Sequence, residues 1–208
     1  MSSSPLRSVK RPPAETRNLM LQTISELLET RAPWDIRASE VAAAAGTTQP
    51  NFYSHFRNIE DAITARAQQV WALYPTARLA ELLEQGLRGG DDESIRSFFA
   101  LTIEFWSRHA GLLRAVSRLP GDEHPAIRDI RHAAQDPILH LCQAAIIEGQ
   151  ACDALAAEWH PWLGANAALR FLDEAACHYK AMRDTGEFTH DDILITIAGM
   201  FRRLLSGR

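Results

Sequence analysis

Two carboxamide side chains, Gln49 and Asn51, lie two residues apart in a segment that runs from position 41 to 56 and reads VAAAAGTTQPNFYSHF. A Gln or Asn carboxamide can form two hydrogen bonds at once with the N6 and N7 atoms of adenine in the major groove of DNA. Tyr53 and His55 follow at the same interval, and their polar atoms can donate to phosphate oxygens. These residues suit contact with duplex DNA, provided that one short helix presents them.

The residues around this group predict such a helix and a tight turn before it. Small side chains at 42–45 form a helix surface that a neighbouring helix can approach closely, and Gly46 follows where a left-handed residue is needed to end that helix. Thr47 and Thr48 then offer hydroxyl groups to the unpaired amides of the next helix, with Thr48 in the better N-cap position. Pro50 falls in the first turn, where its missing N–H does no harm. The segment is therefore predicted to be a helix-turn-helix.

The second helix of this motif is predicted to run from Gln49 to about His55. Phe52 and Phe56 lie four residues apart, so both can point into a core while the polar side chains stay outside. The alternative is an αα turn that only packs against its neighbours, because alanine-rich helices that end at a glycine are common.

The run AGTTQPNFYSHF, followed by an acidic helix start at Glu60 and Asp61, resembles the DNA-binding signature of the TetR (tetracycline-repressor-like) family. The resemblance implies an all-α fold, in which an N-terminal three-helix helix-turn-helix domain is joined to a larger helical bundle for ligand binding and dimerisation. Two positions depart from the pattern of many such sequences. Arg37 stands where a threonine caps the first helix of the motif, and Ile59 stands where a lysine contacts DNA phosphate.

Arg37 has no side-chain acceptor with which to cap a helix, but it could reach a phosphate, and Ser39 in the same turn is a second candidate. The predicted DNA contacts are polar residues near the starts of both motif helices and along the second: Arg37, Ser39, Thr47, Thr48, Gln49, Asn51, Tyr53 and His55.

Charge is distributed unevenly along the chain, whose net charge is −4. Residues 1–63 hold seven of the 22 Lys and Arg side chains and seven of the 26 Asp and Glu side chains, so the acidic excess lies beyond position 63. Residues 1–14 are predicted to form a flexible basic arm that could lie along phosphates or in a minor groove. The alternative for this arm is a disordered solubilising tail.

Composition bounds the class of protein. With 208 residues, 46% apolar and 23% charged, the chain is expected to be globular and cytoplasmic. It has no apolar run of about 18 residues and no apolar leader, so no membrane contact is expected. Three cysteines without CxxC spacing predict buried free thiols, and the histidines show no paired metal-ligand spacing, so neither a metal site nor a cofactor is expected.

The helix-turn-helix domain is predicted to span residues 15–58. Its first helix is predicted from Glu15 to Thr30, and its second from about Arg37 to Ala45. Trp34 and Ile36 in the connection between them are expected to fill the small core.

The ligand-binding and dimerisation domain is predicted to span residues 59–208 and to contain helices only. Its first helix is expected to start near Ile59 and to kink at Pro75; the alternative is that Pro75 begins a new helix. The next helix is predicted to follow Asp91. Further helices are predicted over 111–118, over 125–149 with a break or bend at Pro137, and over 161–183. The last helix is predicted from Thr189 to Leu205, with an Asp192 capping box. Because the helix after Asp91 has more aromatic residues than one face needs, it is expected to be surrounded by other helices.

Aromatic and polar side chains of this domain are candidates for an effector pocket: Trp71, Tyr74, Phe99, Trp106, His109, Trp162 and Asn166. The resemblance implies that the last two helices build a dimer interface, with Leu169, Leu172, Ala176, Ile197, Phe201 and Leu204 in it. The alternative is that these apolar residues belong to the core of a single chain.

The predicted function is that of a dimeric one-component transcriptional regulator and not of an enzyme. It would repress by binding palindromic operator DNA, and a small, largely hydrophobic effector would release it. The alternatives are an all-helical enzyme and a protein-binding adaptor whose helix-turn-helix does not read DNA. No GxSxG, phosphate-loop or HExxH motif supports the enzyme, so no catalytic residue is assigned.

Overall fold

A computed structural model describes residues 12–116 and 125–207. In these ranges the regular structure is entirely helical, which confirms the all-α prediction. Ten α-helices follow one another along the described chain: α1 (Pro13–Leu28), α2 (Ala38–Ala44), α3 (Gln49–His55), α4 (Ile59–Trp71), α5 (Thr76–Gly89), α6 (Asp92–Arg108), α7 (Ala110–Val116), α8 (Pro125–Ala151), α9 (Pro161–Asp184) and α10 (His190–Ser206).

Helices α1–α3 form an N-terminal unit, residues 12–58, around a small apolar core. Met20 and Ile24 of α1 meet Val41 of α2 and the two phenylalanines of the motif, Phe52 and Phe56, and all five side chains are buried. Phe52 and Phe56 thus point inward as predicted. Helix α1 begins at Pro13, two residues before its predicted start at Glu15, because a proline fits the first position of a helix. Residues 1–11 of the predicted basic arm lie outside the described ranges.

Of the two apolar side chains predicted to be buried in the connection from α1 to α2, only one is buried. The connection contains one turn of 3₁₀ helix, Pro33–Asp35. Pro33 and Ile36 are buried, whereas Trp34 is 71% exposed, so its predicted place in the core is wrong. A 3₁₀ helix has three residues per turn. Positions 33 and 36 therefore share one side, and the residue between them points away from it.

The chain leaves the helical conformation before Pro75, so the predicted kink within one long helix is wrong and the alternative is observed. Helix α4 ends at Trp71, and α5 begins at Thr76 with Pro75 as its N-cap residue. A residue that precedes proline avoids the α conformation, which accounts for the break at Tyr74. The Thr76 hydroxyl donates to the carbonyl of Ala134 at 2.8 Å and so attaches the start of α5 to α8.

The longest helix, α8, continues through Pro137 for 27 residues, so of the predicted break or bend the break does not occur, and the bend stays a prediction. Pro137 itself is exposed, while Gln135, Ile138 and Cys142 around it are buried against other helices. Packing on both sides of the proline therefore compensates for the hydrogen bond that it removes.

Helix α6 occupies the centre of the body, the name used here for α4–α10. It packs against α5, α9 and α10, and its buried side chains lie on more than one face, as predicted for a surrounded helix: Ile95, Phe98, Phe99, Thr102, Ile103, Phe105 and Trp106. The helix starts after Asp91, whose carboxylate accepts the amide of Glu93 at 3.1 Å. The predicted capping box of α10 is also present, because Thr189 and Asp192 accept each other's backbone amides at 3.1 and 2.9 Å.

None of the helices in the described ranges is both long and apolar enough to cross a lipid bilayer.

Candidate nucleic-acid interface and effector cleft

The turn between α2 and α3 has the geometry that the sequence predicts. Gly46 has a φ of 71°, in the left-handed region. Its amide donates to Ala43 O at 3.0 Å, and the amide of Thr47 donates to Ala42 O at 2.8 Å. This pair of hydrogen bonds is the Schellman motif, which satisfies the last carbonyls of a helix and reverses the chain. Helices α2 and α3 therefore form a helix-turn-helix.

The start of α3 differs from the prediction in one detail. Thr48 occupies the N-cap position with an extended backbone, but its side chain makes no capping hydrogen bond. Instead, Thr47 accepts a hydrogen bond from the Asn51 amide nitrogen at 2.8 Å. Ser54 donates to the Asn51 side-chain oxygen at 3.2 Å. Each end of the Asn51 carboxamide keeps one further hydrogen-bonding position, so the residue is oriented and can still contact a base.

The four predicted contact residues of α3 lie along two edges of the helix. Gln49 and Tyr53 are four residues apart on one edge, and Asn51 and His55 are four apart on the other. Gln49 is exposed and Tyr53 is 53% exposed, while Asn51 and His55 are half-buried. Ser54 lies between the two edges on the most exposed side. Sequence reasoning missed it, although its hydroxyl contacts both the backbone oxygen and the side-chain oxygen of Asn51, at 2.7 and 3.2 Å.

The N-terminus of α2 is capped by the side chain of Glu40, the third residue of the helix. The Glu40 carboxylate accepts the backbone amide of Arg37 at 3.0 Å and hydrogen bonds from the Arg31 guanidinium at 3.2 and 3.3 Å. The Arg31 hydrogen bond, followed by that of Arg37, lowers the pKa of Glu40. The side chains of Arg37 and Ser39 remain exposed. The predicted phosphate contacts at the start of α2 are therefore accessible.

Two arginines near the motif were not among the predicted contacts. The guanidinium of Arg17 lies 4.9 Å from the centre of the Phe56 ring, which fixes the start of α1 against α3. The side chain of Arg57 is 84% exposed and forms a 3.5 Å ion pair with Asp61. Because Arg57 directly precedes Asn58, the N-cap of α4, it is a candidate phosphate contact beside the position where Ile59 replaces lysine.

Four of the seven predicted pocket residues come together in the body. Trp71 lies 5.3 Å from Tyr74 and 6.4 Å from Trp106, measured between ring centres. Phe105, which the sequence analysis left out, joins them and lies 5.2 Å from His109. Burial raises the pKa of Tyr74, and the nearby Asp173 carboxylate raises it further. Burial also lowers the pKa of His109, with Arg66 and Arg108 as further causes.

The other three predicted pocket residues lie elsewhere, so the predicted pocket is wrong in this part. Phe99 packs on Phe201 of α10, 5.1 Å away. Trp162 is 48% exposed, and its carbonyl accepts the side-chain amide of Asn166 at 2.9 Å. The first turn of α9 contacts α8 near Ile146, because a Cβ added to Gly164 would lie 2.8 Å from that side chain.

The position of Ile146 on α8 explains why Trp162 and Asn166 cannot join the aromatic group. Thr76, next to Tyr74, contacts α8 at Ala134. Twelve residues separate the two contacts, which is about 18 Å along a helix. Periodicity could place these side chains on helices, but it could not show at which end of α8 each helix packs.

Two adjoining clefts open between α6, α7, α8 and α9. Their volumes are about 250 and 650 Å³. The larger volume lies within the usual range for small-molecule sites, about 300–1,000 Å³, and the smaller lies just below it. Three residues line both clefts: Trp106, Arg114 and Cys177. The remaining walls are formed by Ser107, Ala110, Ala176, Tyr179, Lys180 and Arg183 in the smaller cleft, and by Arg131, Arg170, Phe171, Asp173, Glu174 and His178 in the larger one.

A buried polar group closes the inner wall of the larger cleft. Gln135 donates to Asp173 at 3.0 Å, and the Arg131 guanidinium lies 3.8 Å from the same carboxylate. Asp173 itself is buried. Arg131 and Gln135 are four residues apart and so share a face of α8. That spacing is the one signal that the sequence offers for this group.

The predicted dimer residues lie mostly inside the chain itself. Leu169, Leu172, Ala176, Ile197 and Phe201 are buried within the body, and Leu204 is half-buried. For these positions the alternative, a core within one chain, is observed. The exposed apolar side chains of the same region are different ones: Trp162, Leu163, Phe188, Ile195 and Met200.

Helix α7 connects the wall of the clefts to the N-terminal unit. The backbone amide of Gly111 donates to the Glu29 carboxylate at 3.1 Å, and Glu29 is the C-cap residue of α1. A Cβ added at Gly111 would lie 2.5 Å from the Leu28 carbonyl oxygen, so only glycine permits this approach. Ala110 and Arg114 of the same short helix line the smaller cleft.

Within the described residues, no group of three or more His, Cys, Asp or Glu side chains is arranged to hold a metal ion. All three cysteines are free, and of these Cys142 is buried, Cys177 is half-buried and Cys152 is exposed. The prediction of buried thiols is thus right for Cys142, whose pKa burial raises to about 12, and wrong for Cys152.

The structure resembles solved structures of transcriptional regulators over nearly its whole length. Reduced NemR of Escherichia coli shares 21% sequence identity, with a TM-score of 0.58 over 93% of this chain and all of that one. NalD of Pseudomonas aeruginosa, a secondary repressor of the MexAB-OprM multidrug efflux pump, shares 20% identity, with a TM-score of 0.61 over 94% of this chain and 98% of that one.

FadR of Bacillus subtilis, solved in complex with stearoyl-CoA, shares 17% identity, with a TM-score of 0.52 over 92% of this chain and 98% of that one. No protein-family model and no curated protein sequence matches the chain. At these identities the likeness shows the fold, and the fold is TetR-like, as the sequence predicts.

Proposed function

We propose that this chain is a dimeric transcriptional repressor that binds palindromic operator DNA and is released by a small effector with a large apolar part. The observation that carries the proposal is the helix-turn-helix itself, whose exposed polar side chains are oriented while its phenylalanines hold it to α1. In this arrangement Gln49 and Asn51 read bases, and Arg37, Ser39, Thr47, Thr48, Tyr53 and His55 contact the DNA backbone. The proposed function includes no catalytic step.

Two-fold repetition supplies the affinity that one N-terminal unit lacks. Residues 1–63 are neutral overall, so a single unit attracts the polyanion weakly. A dimer places two recognition helices on successive major grooves and doubles the contacts. Exposed apolar side chains of α9 and α10, such as Leu163, Ile195 and Met200, together with Phe188 before α10, support an interface formed by these two helices.

The effector is proposed to enter the clefts beside Trp106. The aromatic group around Trp71 supports an apolar ligand part there. The likeness to FadR, which was solved with a bound acyl-CoA, supports a ligand in the body, and the likeness to NalD supports repression. Helix α7 would transmit the change, because the same helix lines the cleft and contacts α1.

Fluorescence anisotropy with the DNA upstream of the chain's own gene tests this proposal. Gln49→Ala and Asn51→Ala should each weaken specific binding by about 1–3 kcal/mol and leave binding to random DNA nearly unchanged, because only base contacts carry sequence information. Tyr53→Phe and His55→Ala should weaken both kinds of binding, since phosphate contacts are independent of sequence. Gln85→Ala is the matched control, an exposed glutamine of α5 far from the motif.

Equal binding of the operator by wild type and by both carboxamide variants would show that the base-reading assignment is wrong. If no genomic fragment bound at all, the adaptor and enzyme alternatives would replace a DNA-binding function.

A further inference from the structure

We propose that the clefts between α6, α7 and α9 bind an organic carboxylate, an effector whose apolar part lies against Trp106 and Phe171 and whose charged group is bound by Arg114 and Arg170. The effector site itself belongs to the proposed function. The preference of this site for an anionic ligand goes beyond the proposed function, and it can be tested without DNA.

Positive charge is concentrated on the walls of the two clefts. Residues 64–208 hold 15 Lys and Arg and 19 Asp and Glu side chains, so this part of the chain is acidic as a whole. Nevertheless, five of the 15 cations line the clefts, against two carboxylates. These cations are Arg114, Arg131, Arg170, Lys180 and Arg183. A concave wall with one sign of charge concentrates counter-ions of the other sign.

One of the two carboxylates, Asp173, already has a cationic partner in the protein, and the other, Glu174, contacts a histidine ring. Asp173 accepts Gln135 at 3.0 Å and lies 3.8 Å from Arg131. Glu174 lies 3.2 Å from a ring nitrogen of His178. Within residues 12–116 and 125–207, the other four cations form no ion pair. The net charge available to a ligand in the clefts is therefore positive.

The shared wall of the clefts also contains a buried hydrogen-bond donor, which favours a ligand with an acceptor group. Trp106 is more than nine-tenths buried and lines both clefts. Its indole Nε1 is buried and has no hydrogen-bond partner among the described residues. An indole N–H can only donate, and a buried donor without a partner is costly. A ligand relieves that cost if it brings an acceptor.

A carboxylate matches the hydrogen-bonding and charge requirements of these groups. It is an acceptor only, it can accept two parallel hydrogen bonds from one guanidinium, and its charge complements the wall. An amine would be repelled by the same cations, and a neutral amide would gain the hydrogen bonds without the charge. Phe171 and the alanines at 110 and 176 leave room for an apolar group beside the indole.

Arg114 also lies at the contact with the N-terminal unit. Besides the two clefts, it lines a crevice formed by Leu28, Glu29 and Arg31 at the end of α1. A carboxylate that draws Arg114 toward α9 therefore acts on the short helix whose Gly111 amide is bound by Glu29. Through this helix, carboxylate binding and DNA binding would affect each other reciprocally.

Titration calorimetry of the full chain with three matched probes tests the charge selectivity. The probes are 2-naphthoate, its uncharged amide 2-naphthamide, and the cation 2-naphthylmethylammonium, which share one ring system. We expect 2-naphthoate to bind about tenfold or more tightly than the amide, as for one to two charge-assisted hydrogen bonds. The cation should bind more weakly than both.

Two arginine variants locate the charged contact. Arg114→Gln and Arg170→Gln should each weaken 2-naphthoate by about five- to tenfold and change 2-naphthamide by less than twofold. Arg88→Gln, an exposed arginine of α5 that pairs with Glu84, is the matched control and should change neither. Arg170 is exposed, so its variant tests the contact without disturbing the core, and thermal melting of each variant confirms folding.

Equal affinities for 2-naphthoate and 2-naphthamide, no binding of 2-naphthoate, or equal losses in the Arg88 control would each overturn the proposal. A separate DNA measurement distinguishes this failure from failure of the proposed function. If 2-naphthoate binds through both arginines but leaves operator affinity unchanged, the charge selectivity stands and release by the effector fails. If the neutral amide releases DNA and the carboxylate does not, the proposed function stands and the charge selectivity fails.

Discussion

The N-terminal unit and the body present their candidate functional residues in different ways. In the N-terminal unit these residues come from two short helices and the turn between them, and hydrogen bonds between sequence neighbours orient them, such as the one from Asn51 to Thr47. In the body, Trp106 and Arg114 come from the consecutive helices α6 and α7, whereas Arg170 comes from α9, much later in the sequence. The first site is therefore set by local sequence, and the second by the packing of the whole bundle.

Because of this difference, we expect a destabilising core substitution in one unit to leave the other unit folded. Replacing Phe52, a fully buried ring in the small N-terminal core, by alanine should cost about 3–5 kcal/mol of unfolding free energy. A core of this size has little stability to lose, so α1–α3 should unfold first. Circular dichroism should then show an early partial transition. In a Trp34→Phe background, which removes the tryptophan of the N-terminal unit, the fluorescence of the buried Trp71 and Trp106 in the body should change only in the later transition.

Phe98→Ala is the matched variant in the body, since that ring is equally buried. It should lower the temperature of the later transition and leave the clefts poorly formed. Coincident transitions in the Phe52 variant would mean that the contacts of α1 with α4 and α7 make the whole chain one cooperative unit. The comparison between two separately stabilised regions would then fail.

A smaller perturbation addresses the contact between the two units. Gly111→Ala places a methyl group 2.5 Å from the Leu28 carbonyl oxygen, where backbone on both sides must move. We expect a loss of about 2–3 kcal/mol in stability, typical of an overpacked site. The displacement of α7 should also change operator affinity, although no residue of the helix-turn-helix is altered. Urea unfolding and DNA anisotropy measure the two effects.

Gly89→Ala is the control for that substitution, because a Cβ at Gly89 meets no atom within 4 Å. At the end of α5 the alanine should be neutral or stabilise by a few tenths of a kcal/mol, as helix propensity implies. If the two alanine variants have equal stability and equal operator affinity, the close contact of α7 with α1 does not link effector binding to DNA binding.

The two regions also differ in what the sequence could predict. Gly46, Phe52 and Phe56 were placed correctly, because a turn and an i, i+4 pair are local properties. Phe99 and Trp162 were assigned to the aromatic group, because periodicity identifies a helix face but not the helix that covers it. Phe99 meets α10 and Trp162 stays exposed. Likewise, Leu172 and Phe201 form the expected apolar stripes, and the same stripe serves a core or an interface.

Charged residues show the same limit within the body. Arg114, Arg131 and Arg170 have no short-range pattern that relates them, and they line one cleft only because the fold brings α7, α8 and α9 around it. Pro75 could be read as a kink or as a helix boundary until the observed contact of Thr76 with α8 showed where α5 begins. Patterns between sequence neighbours therefore predict the helix-turn-helix well. For the proposed effector cleft they predict the helices, but not how these helices pack.

The smallest expected effect concerns His109, which lies between α6 and α7 at the contact of the two regions. Burial, together with Arg66 and Arg108, lowers the pKa of His109 in the folded chain, whereas Glu29 raises it as the smallest of the four causes. The unfolded chain therefore binds a proton more readily near pH 6 than the folded chain does. Stability should consequently fall as pH decreases from neutral through the ordinary histidine pKa of about 6.5. Thermal melting between pH 5.5 and 7.5 measures this slope.

His109→Asn should reduce the slope, because asparagine has no proton to gain in this range. His140→Asn, which removes an exposed imidazole from α8, is the control for the loss of a histidine. Since α7 begins directly after His109, the same protonation should loosen the link from the clefts to α1. A steeper slope in the His109 variant would reverse the assigned sign, and would mean that the Glu29 carboxylate outweighs the two arginines in its effect on the imidazole.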